Sequence, residues 1–95
     1  MPRTAYRKGR DAEYAIKRKL EGMGYKWQIR SSASHTPIDL LVSDGVTCLA
    51  LQVKVRPYLS KSDRSELIEW AKRFNANPML ACKKRGRWRL ESLQS

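Results

Sequence analysis

Histidine occurs once, as His35, and cysteine twice, as Cys48 and Cys82. The cysteines lack CxxC spacing and metal-binding companions, so the chain has too few ligands for a zinc site. With no nucleophile-elbow motif either, nothing supports a catalytic triad. Both thiols fall inside expected strands, which fits buried, reduced cysteines and a cytoplasmic setting. No apolar run nears the length of a membrane span, and Met1-Pro2-Arg3-Thr4 has none of the hydrophobic character of a signal peptide. Repeats, low-complexity tracts and linkers are also missing. Residues 1–95 therefore form one domain, and at 41% hydrophobic content it should fold around a single core.

Acidic residues are scarce as well. Nine Asp and Glu stand against twenty Lys and Arg, leaving a net charge of +11. Such a surplus points to a polyanion, of which nucleic acid is the commonest. An acidic protein partner, a membrane surface or simple solubility would also account for it.

Residues 1–5 read as a basic arm. Residues 6–23 have helical spacing, with Ala12, Ile16, Leu20 and Met23 as the apolar stripe and Gly22 and Gly24 as the stop. Glu13 sits at the edge of that stripe, and either leans towards the sheet or pairs with Lys17 on the surface. In residues 25–30, Tyr25, Trp27 and Ile29 alternate with Lys26, Gln28 and Arg30, as in a half-buried strand. A polar loop, residues 31–36, follows. It is either a solvated connection or a phosphate contact.

Residues 37–54 read as a hairpin turned at Asp44-Gly45, with Ser43 opposite Val46. That register puts Ile38, Leu40, Val42, Leu49, Leu51 and Val53 on one aliphatic face. Asp39, Leu41, Cys48, Ala50, Gln52 and Lys54 take the other face. A second helix, with caps among residues 60–63 and a capping box at Asp63-Arg64-Ser65-Glu66, extends to about Asn75. Leu67, Trp70, Ala71 and Phe74 form its apolar face. Strands at residues 79–83 and 87–90, turned at Arg85-Gly86, complete the order α-β-β-β-α-β-β. This is an α/β layout with a central mixed five-stranded sheet flanked by helices. Trp70 and Trp88 are expected as packing anchors, although Trp70 with Tyr58 and Leu59 also suits a dimer partner.

The chemistry concentrates in Glu13, Asp39, Gln52 and Lys54. Two carboxylates, an amide oxygen and a nearby backbone carbonyl suit a hard divalent cation such as Mg²⁺. A lysine beside such a cation can hold a water, and the basic surface would bring a phosphate. These are the parts of a metal-dependent phosphodiesterase.

Pro37-Ile38-Asp39 followed by Leu51-Gln52-Val53-Lys54 resembles the PD-(D/E)xK nuclease signature. More narrowly, the chain resembles the archaeal-type Holliday junction resolvases and their bacterial and phage relatives. Arg7-Lys8-Gly9-Arg10-Asp11-Ala12-Glu13 is similar to the family's first helix. Arg30-Ser31-Ser32-Ala33-Ser34-His35 is similar to its Arg-Ser-x-x-Ser loop. The resemblance implies a restriction-endonuclease-like fold and cleavage of four-way DNA junctions by a homodimer. It implies Asp39 as central metal ligand, Glu13 as a second, Gln52 in the place of the usual Glu, and Val53 offering its carbonyl. Lys54 would orient the attacking water or stabilise the pentavalent phosphate, and Ser34 would contact the backbone near the scissile phosphate. Arg7, Lys8, Arg10, Arg30, Ser32, His35, Arg56, Lys83, Lys84 and Arg85 are expected to line the DNA. The expected cofactor is Mg²⁺, with Mn²⁺ as substitute. The expected location is the cytoplasm, with the nucleoid or, for a phage protein, the host cytoplasm, and no membrane partner is expected. Gln52 brings no charge, so weaker metal binding is expected. A Mrr-like or repair endonuclease, or a non-catalytic DNA-binding protein of the same fold, are the alternatives.

Overall fold

The computed structural model describes residues 5–31, 36–56 and 58–93, and the side chains of that set from Asp11 onward. The elements follow the expected order: α1 (Ala5–Gly22), β1 (Trp27–Arg30), β2 (Leu40–Ser43), β3 (Cys48–Lys54), α2 (Lys61–Arg73), β4 (Asn77–Lys84) and β5 (Arg87–Ser92). Ala5 belongs to α1, not to a leading arm. The five strands lie in chain order, and only β3 and β4 are parallel, with α2 as their crossover. No described helix is long and apolar enough to cross a membrane.

The sheet is covered on both faces, which corrects the expectation of one aliphatic and one polar face. Ile16 and Leu20 of α1 pack on Leu40, Val42, Leu49, Leu51 and Ala81. On the other face Leu67 and Ala71 of α2 pack on Ala50, Leu80 and Cys82, with Leu41 and Cys48 against that cluster. Ile38 belongs to this second cluster, across the sheet from Leu40. The cause is local. Leu40 pairs with Leu51, yet the Asp39 amide also donates to the Leu51 carbonyl at 2.8 Å. Two residues of one strand thus share one of the next, a bulge that turns the chain and resets the alternation.

The two glycine turns differ. Arg85 (φ 52°) and Gly86 (φ 78°) make the expected two-residue turn between Lys84 and Arg87. At Asp44-Gly45 the strands instead close at Ser43 and Cys48, around a loop of residues 44–47. The Asp44 carboxylate accepts from the amides of Val46 (2.8 Å) and Thr47 (2.6 Å), which holds the wider loop and keeps its pKa below the ordinary value. The register therefore shifts by two, and because the side-chain period is two, the facing survives.

Other expectations change at the margins. Met23 and Phe74 lie outside the core, and Trp27 and Ile29 on the edge strand β1 are 64% and 67% exposed. Among the described residues α2 packs mainly on β3 and β4, which leaves that side of β1 open. Helix α2 is capped by Ser60, whose Oγ accepts from the Asp63 amide at 3.1 Å, so the cap lies three residues ahead of the expected box. Trp70 and Trp88 pack against the two cores as expected, and the cysteines are free thiols, Cys82 buried and Cys48 half-buried.

Candidate active site

The bulge places Asp39. Its Oδ2 accepts from the Val53 amide at 2.8 Å. Backbone amides of a strand point along the sheet, so this carboxylate lies between the ends of β2 and β3 rather than on either face. The Asp39 carbonyl accepts from Ser31 at 3.0 Å, tying the site to the start of the serine loop. Partial burial pushes the Asp39 pKa above its ordinary value, and the Val53 amide pulls it back. Glu13 is close enough to raise it, while Lys54 and Arg30 are close enough to lower it.

Glu13, the carboxylate on the edge of the α1 stripe, faces the sheet. Its Oε1 accepts from Nε of Arg30, the last residue of β1, and not from Lys17. The Glu13 side chain is 21% exposed and that of Arg30 49%. A cavity of about 140 Å³ beside the pair is lined by Glu13, Tyr14, Lys17, Gln28, Arg30 and Leu40. Gln28 turns inward here, donating to the carbonyls of Lys17 (3.1 Å) and Tyr25 (2.9 Å). Periodicity alone had placed Gln28 on the solvent side. The Glu13–Arg30 pair spans 17 residues, so no local pattern announces it.

Gln52 precedes Val53 on β3, and its Oε1 is buried with no hydrogen-bond partner among the described residues. Such an oxygen is costly unless something satisfies it. A hard cation or a water suits it. Among the described residues no three His, Cys, Asp or Glu side chains gather as a metal cluster. As a set of oxygen donors, the carboxylates of Glu13 and Asp39, the Gln52 amide and the Val53 carbonyl are chemically apt for a hard divalent cation such as Mg²⁺.

The remaining basic residues share this end of the sheet. Arg30 pairs with Leu40, Leu40 with Leu51, and Lys54 with Cys82, so the turn at Arg85-Gly86 lies just past Lys54. Arg56, Lys83, Lys84 and Arg85 are exposed there. The Lys83 ammonium lies 5.8 Å from the centroid of the Trp88 ring, and Lys84 pairs with Glu91 at 2.6 Å. Ser32, Ser34 and His35, and the side chains of Arg7, Lys8 and Arg10, lie outside the described residues.

A family model described as archaeal Holliday junction resolvase (Hjc) matches residues 4–95. The chain belongs to this family. Among solved structures it is similar to Hjc of Archaeoglobus fulgidus, a Holliday junction resolvase from an archaeal hyperthermophile, determined at 1.6 Å resolution. The TM-score is 0.76 and the identity 30%, covering 92% of this chain and 74% of that one. The resolvase fold is thus that of the PD-(D/E)xK nucleases, and its family is one of structure-selective, junction-resolving nucleases.

Proposed function

We propose that this resolvase hydrolyses phosphodiester bonds at four-way DNA junctions as a Mg²⁺-dependent homodimer, with Mn²⁺ able to substitute. The observation that carries the proposal is Asp39, set by the Val53 amide between Glu13 and Lys54 at the basic end of the sheet. Glu13, Asp39, Gln52 Oε1 and the Val53 carbonyl would hold the metal. When bound, it would polarise the phosphate and stabilise the leaving oxygen. Lys54 orients the attacking water and faces the negative charge that develops on the phosphoryl oxygens. Arg30, Arg56, Lys83, Lys84 and Arg85 hold the DNA backbone through phosphate contacts that carry no sequence information, as selection by shape requires. Arg7, Lys8, Arg10, Ser32, Ser34 and His35 are proposed to extend that surface on the strength of the family motif.

The dimer rests on two arguments. A junction with two-fold symmetry needs two cuts, which a two-fold enzyme supplies. Tyr58 and Phe74 are 72% and 52% exposed, and Leu59 and Trp70 are only partly covered. These four make a candidate isologous contact. The proposal places the protein in the cytoplasm, with its DNA.

The test is cleavage of a four-way junction and a linear duplex of equal length in Mg²⁺, by the wild type and by Lys54→Ala. Cutting confined to the junction, and lost in the variant while junction binding remains, is the expected result. Equal cutting of both substrates, or undiminished cutting by Lys54→Ala, would refute it.

A further inference from the structure

Asp39 has a second carboxylate, Glu13, and two cations, Arg30 and Lys54, within electrostatic reach, and Arg30 is paired with Glu13. Gln52 adds no charge, so the four balance before any metal arrives. Arg30 sits where a cation is wanted: its guanidinium holds Glu13 and also acts on Asp39. With its side chain 49% exposed at the basic end of the sheet, it remains open to an incoming phosphate. A half-exposed ion pair is weak, whereas a guanidinium binds phosphate through two parallel hydrogen bonds.

We propose that Arg30 acts as an exchangeable placeholder, pairing with Glu13 in the free enzyme and passing to a DNA phosphate on binding, which frees Glu13 for the metal. Metal and DNA then load together. By linkage, a metal that draws Glu13 away releases the Arg30 guanidinium from that ion pair and lets it turn to phosphate, so each ligand tightens the other by the same factor. No covalent step is involved. The functional sense is that metal, and with it hydrolytic power, concentrates on enzyme already holding DNA. The inference rests on the metal site proposed above, and Arg30 is a positioning residue in it.

The experiment is Mn²⁺ titration of the DNA-free protein, followed by the paramagnetic resonance of the free ion. The proteins are the wild type, Arg30→Gln, Glu13→Gln, the Glu13→Gln/Arg30→Gln double variant and Asp39→Asn, each checked for folding by circular dichroism. Arg30→Gln is expected to bind Mn²⁺ roughly tenfold more tightly than wild type, within the usual range of coupling between sites. The gain should disappear in the Glu13→Gln background, because Arg30 acts through Glu13. An equal gain in both backgrounds would mean that only net charge matters and would overturn the exchange, as would no gain in either. Asp39→Asn should lose Mn²⁺ binding. If it binds like wild type, the metal lies elsewhere, and the proposed site falls along with the exchange.

Discussion

The site end of β2 and β3 and the β4–β5 hairpin are built on opposite terms. The hairpin is regular: a two-residue turn with both φ values positive, an unbroken register, Lys83 over Trp88 and Lys84 against Glu91. Around Asp39 the ladder slips, a carboxylate takes an amide between two strand ends, and an amide oxygen is buried without a partner among the described residues. Local rules are satisfied in the first region and broken in the second. Broken rules of this kind are expected where a structure gives up stability for chemistry.

The contrast is broken most severely by Asp39→Asn. Cleavage should fall well beyond the ~10–100-fold typical of losing an outer partner of a metal. The metal-free variant should nevertheless melt at the same or a higher temperature than the wild type. An amide keeps an acceptor for Val53 and removes a partly buried charge beside Glu13. A large drop in thermal midpoint would show that Asp39 is a structural residue.

The pH dependence follows from the same carboxyl. Its folded-state pKa is raised above the ordinary 3.8, so the folded protein takes up this proton more readily than the unfolded chain. Ionised Asp39 therefore lowers metal-free stability at neutral pH. The deficit relative to Asp39→Asn should shrink as pH falls through the raised value and be gone below 3.8. The cleavage rate should move oppositely, falling at low pH as protons compete with the metal for this ligand. A pH–rate profile, with calorimetry across the same range, checks both signs.

In the hairpin the expected effects are smaller and fall on different readouts. Gly86 has φ 78° and open space where a Cβ would sit, so Gly86→Ala meets no clash, only backbone strain. It should cost about 1 kcal/mol in denaturant unfolding while leaving cleavage per folded molecule nearly unchanged. Arg85→Ala should leave stability alone and lower the slope of log affinity for the junction against log salt by about 0.9, the share of one phosphate contact. A loss of cleavage without that change in slope would move Arg85 from DNA holding into the chemistry.

Much of the fold was legible because it rests on period and punctuation. Ala12, Ile16 and Leu20 announced the first helix, and the aliphatic positions of β3 announced a core strand. The element order followed from them. What the sequence concealed were competitions settled by single groups. The Asp44 side chain captured two amides and widened a turn that Asp-Gly alone would have made tight. The doubled use of Leu51 sent Ile38 to the other face. The exposure of Trp27 and Ile29 reflects how far α2 reaches, which no strand pattern encodes. Asp39, Lys54 and Glu13 were visible as residues out of place on their elements. Their link to Arg30 was not, because it joins a helix and a strand only after both have docked on the sheet.

The central claim is that Asp39 centres a metal site completed by Glu13 and Gln52. Crystals soaked in Mn²⁺ test it most directly, through the anomalous scattering of the ion. The account predicts a peak at bonding distance from an Asp39 carboxylate oxygen, with Gln52 Oε1 or Glu13 among its neighbours. A peak elsewhere, or none at Asp39 in crystals that cleave DNA when dissolved in Mn²⁺, would contradict it.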